Sequence, residues 1–198
     1  PSDGGPVAVP SQDMVLGIYY LTQERPGATG EGMCFKSKNE AILAYENKAV
    51  TLHSRVKVRV EKTMPDGTVK SGIVESTVGR FIFNEIIPQD LGFVDRSVPG
   101  NELKLEVDFH VGKKQCKQIL EKVINVHGAS KTAETLDDIK AIGYKYSTRA
   151  AMTVSISDMT VPATKKQLLA DAEATVDRIA KNFRRGLITE EERYKEVI

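Results

Sequence analysis

The chain has 198 residues, 40% hydrophobic and 28% charged, a balance typical of a globular protein and not of a disordered one. Its 28 Lys and Arg residues against 27 Asp and Glu residues give a net charge of +1, which argues against a broad electrostatic surface for nucleic acid. It has no apolar run of membrane-spanning length. Cys34 and Cys116 do not have the spacing of a metal-binding or redox motif. Two free thiols in a reduced protein are the favoured interpretation, and a disulfide between them is the alternative.

The N-terminal region predicts short elements. Residues 1–10 are rich in Pro and Gly, which favours an extended segment. The apolar run Met14 to Leu21 (MVLGIYYL) predicts a buried segment, either strand or helix, with Gly17 as an interruption. Ser37 and Glu40 have the spacing of a capping box, which predicts that a helix begins there.

A β-hairpin is predicted next. Three valines alternate with basic residues over 56–60, as in a half-buried strand. Pro65-Asp66-Gly67 is typical of a turn, and residues 69–74 predict the returning strand. The apolar segment 77–88 follows and ends at a proline, and residues 97–101 are expected to form a loop.

The second half predicts helices. Residues 114–127 have one apolar face and are expected to stop at Gly128. Thr132 or Thr135 is the expected cap of the next helix, whose face carries the apolar residues of 136–142. Because strands come early and helices late, the predicted fold class is α+β. The predicted subdomains are 1–110, with mixed strands and short helices, and 111–198, mainly helical.

The chain closes with a predicted antiparallel helical hairpin, over about 160–198. Its first helix has an apolar face of residues three or four apart: Leu168, Ala172, Val176, Ile179 and Phe183. Gly186 follows as a helix stop, and Thr189 with Glu192 forms a capping box for the second helix.

Motifs for catalysis are weak. The loop 27–32 (GATGEG) resembles a phosphate-binding loop, but Met33 follows its last glycine where such a loop needs Lys and then Ser or Thr, so a plain turn is favoured. The three histidines are scattered and do not have the spacing of a zinc site. No nucleophile elbow or compact Asp cluster for Mg²⁺ is present in the sequence. We therefore predict neither catalytic nor metal-binding residues.

The hairpin tip concentrates charge of both signs. Its charged residues are Arg184, Arg185, Glu190, Glu191 and Glu192. Charges at a helical turn are usually only solvated, and the residues alone favour that interpretation. The alternative is a docking surface whose mixed charges select a partner.

Six segments, in order, resemble the largest catalytic subunit of bacterial RNA polymerase, β′. They are PSQDMVLGIYY (10–20), GEGM (30–33), TVGRFIFNEIIP (77–88), LDDIKAIGYKYSTRA (136–150), SDMTVP (157–162) and GLITEEERYKEVI (186–198). The resemblance covers essentially the whole chain.

The resemblance implies the secondary-channel region of β′, its pore and funnel. In that family the region walls the route of nucleoside triphosphates to the active centre and accepts backtracked RNA. The Asp motif that holds Mg²⁺ would precede Pro1, the bridge helix and trigger loop would follow Ile198, and the zinc sites lie elsewhere. The resemblance thus implies that the chain is part of a cytoplasmic nucleotidyltransferase. Alone it is expected to be inactive and to hold no cofactor of its own. Its implied partners are the β, α and ω subunits, with DNA and RNA only in the whole enzyme and no membrane.

The resemblance also assigns residues. The closing hairpin matches the rim helices, which dock channel-inserting factors such as Gre-type cleavage factors. Glu192, Tyr194 and Lys195 are the expected contacts there, beside the charges already named. Gln12 and Asp13 are expected in channel-lining or structural polar roles. Ala151 stands where the family often has Gly, so a different local turn is expected there.

Two other classes of function remain as alternatives. A free-standing protein-interaction module would use the helical hairpin as its binding surface. A small phosphate-dependent enzyme would use the glycines of 27–32.

Overall fold

The computed structural model describes residues 5–64 and 67–198. They form two compact units, one up to Met152 and one spanning Thr153–Ile198. The elements of the first unit are α1 (Asp13–Thr22), β1 (Cys34–Phe35), α2 (Lys38–Glu46), β2 (Arg55–Thr63), β3 (Val69–Thr77), α3 (Val78–Phe83) and α4 (Lys113–Ala150). Those of the second are a 3₁₀ turn (Ile156–Asp158), α5 (Lys165–Arg184) and α6 (Glu190–Val197).

The first apolar run is the helix α1, which packs against α4. Ile18 and Leu21 are completely buried in this contact region. Gly17 is no interruption of the helix: a Cβ at this position would lie 1.8 Å from the carbonyl oxygen of Gly143 in α4. Glycine is therefore required because the two helix backbones touch there.

The three strands form one sheet in the order β1-β2-β3. β1 runs parallel to β2, and β2 pairs antiparallel with β3 over its full length. Val56 and Val58 are buried, whereas Lys57 and Arg59 point outward, so the predicted alternation is confirmed. Residues 65 and 66 of the predicted turn lie outside the described residues, as do residues 1–4 of the predicted extended segment.

Two short helices frame the sheet, each with a side-chain cap. The Ser37 hydroxyl accepts the Glu40 N–H at 3.3 Å, which confirms the cap predicted for α2. At the start of α3 the Thr77 hydroxyl accepts the Arg80 N–H at 3.2 Å. All six residues of α3 are buried, so this helix passes through the core of the unit.

The long helix α4 is interrupted at Gly128, whose φ of 76° and ψ of −175° are not helical. The predicted stop at Gly128 is thus confirmed as a kink. The predicted caps are wrong: Thr132 and Thr135 lie inside the resumed helix and donate to the carbonyls of Gly128 and Lys131. A hydroxyl that bonds four residues back is satisfied within the helix and leaves nothing for a cap.

The core of the first unit joins α1, the inner face of the sheet, α3 and one face of α4. Its fully buried apolar side chains include Ile18, Leu21, Val56, Val58, Val78, Phe83, Val107, Cys116, Ile119, Leu120, Val123 and Ile139. Burying each large member stabilises the fold by about 2 kcal/mol.

The second unit is a helical hairpin made of α5 and α6. Of the predicted apolar face of α5 only Ile179 is buried, at 4% exposure; Leu168 is 65% exposed and Phe183 37%. The predicted α+β class is confirmed, with a small sheet in the first half and a mostly helical second half. The predicted subdomain division near residue 110 stays a prediction.

Candidate functional site

Two local features form the hairpin tip: the left-handed backbone of Gly186 and the capping box at the start of α6. Gly186 has a φ of 70°, and its N–H and that of Leu187 bond back to Phe183 and Asn182 at the end of α5. Left-handed backbone suits glycine, so the chain turns there at no steric cost. The predicted capping box of α6 is confirmed: the Thr189 hydroxyl accepts the Glu192 N–H at 3.3 Å, and the Glu192 carboxylate accepts the Thr189 N–H at 2.8 Å.

The carboxylates of the tip are already engaged within α6. Arg193 pairs with Glu190, and the Lys195 ammonium lies 2.8 Å from the Glu191 carboxylate. The N–H and hydroxyl of Thr189 lower the pKa of Glu192, as the Arg193 partner lowers that of Glu190. The charges of Glu190 and Glu191 are therefore paired within α6, and the Glu192 carboxylate is held by the helix cap.

The two arginines of the tip are not neutralised. Arg184 and Arg185 are exposed, and within 5–64 and 67–198 neither makes an ion pair. Tyr194 is 62% exposed on α6, while the Arg193 guanidinium covers the Phe183 ring at 5.3 Å. The tip thus presents two cations without an ion pair in the described residues, together with exposed Tyr194 and the exposed acids of α6. Its role as a docking surface stays a prediction.

The predicted polar pair near the N-terminus stands at the start of α1. Gln12 and Asp13 are both exposed. Gln12 has a φ of 48° and a ψ of −125°, an unusual backbone for any residue with a side chain, and makes no side-chain cap bond. Such conformations cost about 1–3 kcal/mol and persist only where the surroundings impose them. Here the contact of Gly17 with Gly143 anchors the helix that follows.

A charge network around the buried side chain of Arg80 lies at the junction of α1, β2 and α3. The Arg80 guanidinium, 6% exposed, contacts the carboxylates of Glu24 at 3.0 Å and Asp108 at 3.3 Å. Arg55 reaches the same Glu24 at 3.1 Å and Glu75 at 3.1 Å. Sequence reasoning missed this network because its members lie up to 84 positions apart in the chain and share no motif. No local signal could have found it.

The glycine loop 27–32 is a closed turn. The Gly27 N–H bonds to the Glu31 carboxylate, the Glu31 N–H to Ala28, and the Gly32 N–H to Arg55 at 2.8 Å. A Cβ at Gly30 would meet Val50 and Ala49, so this glycine serves packing. Amides committed in this way do not form the cradle that a phosphate needs.

The histidines and cysteines do not converge. His53 bonds the carbonyl of Gln23, His110 that of Tyr19, and His127 the carboxylate of Asp90. Both cysteines are free thiols; burial raises the pKa of the Cys116 thiol to about 11. In the described part of the chain no group of three or more His, Cys, Asp or Glu side chains could hold a metal ion. None of its helices is long and apolar enough to cross a membrane.

Comparison with known proteins gives a consistent answer. The sequence profile of the family RNA polymerase Rpb1, domain 3, matches residues 1–159. Over all 198 residues the chain is 70% identical to the DNA-directed RNA polymerase subunit beta' of Lachnoclostridium phytofermentans, of which it covers 16%. It is 56% identical to the subunits of the same name from Acetivibrio thermocellus, over 198 residues, and Caldicellulosiruptor saccharolyticus, over a 200-residue alignment, covering 17% of each. The chain thus spans about one sixth of the length of these relatives, and it belongs to the RNA polymerase Rpb1, domain 3, family.

Proposed function

We propose that the chain works as a segment of the β′ subunit of a DNA-directed RNA polymerase, in the cytoplasm. The single observation that carries this proposal is the 70% identity over all 198 residues to a protein of that name. In this role the segment contributes to templated RNA synthesis only together with the rest of the subunit and its partner subunits β, α and ω. The catalytic Mg²⁺ and the structural zinc are then held by other parts of the enzyme.

Within the subunit we assign the segment to the wall of the secondary channel, through which nucleoside triphosphates enter. Six segments that resemble this region support the assignment, as does the strained backbone of exposed Gln12, since such strain is concentrated at functional sites. The hairpin of α5 and α6 would stand at the channel mouth. Its free Arg184 and Arg185 and exposed Tyr194 would dock channel-inserting factors of the Gre type, and steering by such charges raises the rate of encounter.

The proposal is tested by segment replacement. The matched residues of the Lachnoclostridium phytofermentans subunit are exchanged for this chain, and the subunit is assembled with its partners. We expect assembly and templated RNA synthesis near the level of the unaltered enzyme. An enzyme that assembles poorly or makes no RNA, beside an active unaltered control, would contradict the role. The isolated 198-residue chain is expected to make no RNA in the same assay.

A further inference from the structure

The outer face of the sheet carries a cavity of about 550 Å³ that extends over all three strands. The register places its side chains in two neighbouring rows. Cys34 of β1 lies across from Lys57 of β2, and Arg59, two residues further along β2, lies across from Ile73 of β3. The valines that alternate with these two β2 residues are buried on the opposite face, so the two cations point to the cavity side.

The cavity collects positive charge. Three of its lining side chains are cations, Lys36, Lys57 and Arg59, and all three are exposed. Within residues 5–64 and 67–198 none of them makes an ion pair. Lys57 and Arg59 lie only about 7 Å apart along the strand, and like charges at such a distance repel each other. Since the whole chain has 28 basic and 27 acidic residues, this cluster is a local excess.

The acids near the cavity do not neutralise this cluster. Among the lining residues of the described chain, Glu40 is the one carboxylate, and it accepts the Lys36 N–H at 2.5 Å as part of the cap of α2. Glu75, across from Lys57, is paired with Arg55 at 3.1 Å. Glu61 follows Arg59 on the same face but lies outside the cavity. A concavity lined by one sign of charge concentrates ions of the opposite sign, here anions.

The donors at the cavity indicate the kind of anion. A guanidinium holds two oxygens of one phosphate at once, and an ammonium group binds a phosphate oxygen as a point charge. The Ser71 hydroxyl lines the same cavity and adds one more donor. Three cations in one small concavity match a ligand with several negative charges, which a single carboxylate does not supply. Linked phosphate groups do supply them, and the volume of the cavity is that of a small-molecule site.

The cavity offers little for the recognition of a base. Among its lining residues in the described chain, Phe35 has the one aromatic ring, and this residue is only 9% exposed. Bases of nucleotides and single-stranded nucleic acids stack on exposed rings. The phosphate groups of a ligand are therefore the part that this face can hold.

We infer that the cavity binds a compact polyphosphate, whose charged oxygens are held by Lys36, Lys57 and Arg59. The ligand class is a small molecule with two or more linked phosphate groups, either free or attached to a nucleoside. The inference goes beyond the proposed function and does not depend on it.

Protection of a thiol tests the site, because the exposed Cys34 lines the cavity. Inorganic tripolyphosphate is titrated into the chain and into the assembled polymerase that carries it. The rate of Cys34 alkylation by iodoacetamide is followed by peptide mass spectrometry. A bound polyphosphate covers the thiol, so this rate should fall to a plateau. Buried Cys116 is the internal control and should stay unreactive while the fold is intact.

Two results of this titration would overturn the inference. One is a Cys34 rate that tripolyphosphate does not change, in a protein whose Cys116 stays unreactive. The other is a Cys34 that another part of the enzyme already covers in the assembled polymerase, since the cavity is then closed to a small ligand.

A pair of double variants assigns the protection to the cluster. Lys57→Gln with Arg59→Gln removes two charges from the cavity, and Lys165→Gln with Lys166→Gln removes two exposed charges at the start of α5. The tripolyphosphate concentration that gives half protection should rise about tenfold for the first variant and less than about twofold for the second. Equal rises would show a general attraction of anions to the protein and would overturn the site.

Further probes identify the ligand class. Inorganic phosphate should need at least about a tenfold higher concentration than tripolyphosphate, because one phosphate does not reach all three cations. Equal protection by the two would indicate an adventitious ion only and would overturn the inference. ATP that protects as well as tripolyphosphate makes a nucleoside polyphosphate the source, whereas much weaker protection by ATP restricts the site to free polyphosphate. Stronger protection by single-stranded RNA at equal phosphate concentration would assign the face to a nucleic-acid backbone and overturn the small ligand.

Discussion

Ala151 has left-handed backbone, with a φ of 50° and a ψ of 40°, and it ends α4. The different local turn expected for Ala at this position is wrong, because Ala151 adopts the left-handed backbone and bears its cost. Because left-handed backbone costs a residue with a Cβ about 1 kcal/mol more than glycine, Ala151→Gly should raise the free energy of unfolding by about that amount. Urea unfolding of the chain measures it.

The matched control for this variant is Ala150→Gly, one residue earlier. Ala150 is the last helical residue of α4, so glycine there should lower stability by up to about 1 kcal/mol. Two variants that change stability in the same direction would show that Ala151 is not under strain.

His53 should make the fold sensitive to acid. It is 4% exposed, its Nδ1 lies 3.1 Å from the Gln23 carbonyl, and its Nε2 has no partner in the described residues. Burial, with a smaller contribution from the Arg25 charge, lowers the pKa of His53 below 6.5. The unfolded chain thus binds the proton first, and the stability present above pH 6.5 is lost as the pH falls towards the lowered folded pKa.

The measurement is urea unfolding of the wild type and of His53→Gln at pH 7.5 and pH 5.5. The wild type should lose more stability between the two, by up to about 1.4 kcal/mol per pH unit, because the variant has no imidazole to protonate. The other two histidines are present in both proteins and cancel. Equal losses would show that His53 keeps its ordinary pKa.

Side-chain roles at the tip were only partly predictable from the sequence. The Thr189 and Glu192 capping box follows from spacing alone, since its bonds join residues three apart. That bond also uses Glu192, the residue expected to contact a factor, so a change at Glu192 would disturb α6 and docking together. Arg184 and Arg185 have no ion pair in the described residues, whereas Arg193 pairs with Glu190 and Lys195 with Glu191. Spacing alone does not decide which of these basic residues pairs with which acid.

The contact between α1 and α4 is an element-scale constraint. A Cβ at Gly17 would lie 1.8 Å from the Gly143 oxygen and 2.8 Å from the Ser147 nitrogen. Both are backbone atoms, so no rotamer can relieve the clash. Gly17→Ala should therefore lower the free energy of unfolding by about 3 kcal/mol.

Gly112→Ala is the matched control, because the nearest atom to its Cβ is the end of the flexible Gln115 side chain at 3.3 Å. Gly112 is the N-cap of α4, where alanine is less favourable than glycine, so we expect a cost of about 0.5–1 kcal/mol by thermal or urea unfolding, well below that of Gly17→Ala. Similar losses in the two variants would show that α1 and α4 do not approach as closely as described.

If the hairpin tip docks a factor, the binding should depend on the charges of the tip. In the assembled enzyme, reversal of both Arg184 and Arg185 to Glu should weaken binding of a Gre-type factor about tenfold at low salt and less at high salt, because exposed charges are screened. Reversal of Lys165 and Lys166 at the other end of α5 is the control. The dissociation constant of the factor is measured for both variants at two salt concentrations. Equal weakening by the two double reversals would show that the tip is not part of the docking surface.

Elements with local signals were predictable, and those set by distant contacts were not. The alternation over 56–60 predicted β2 because one face of a strand meets the core. The run MVLGIYYL left helix and strand open, since its apolar residues leave no polar face, and the choice depends on α4 about 125 positions away. The helix beyond Gly128 was predicted from the apolar spacing of 136–142, whereas its direct continuation from the first part of α4 was not.

At the scale of the whole molecule, the fold class followed from the order of elements, while the charge network of Arg80, Glu24 and Asp108 did not. Long-range ion pairs leave no spacing in a sequence. The family followed from the resemblance of several segments taken together. A single motif gave no such answer: the glycine loop, for example, is a closed turn.

The most direct test of the channel assignment is an electron cryomicroscopy map of the assembled polymerase that carries this chain. We predict that α5 and α6 border the mouth of a channel leading to the catalytic Mg²⁺, with Gln12 closer to that metal than the hairpin tip. A map with both features on an outer surface, away from any channel, would contradict the account.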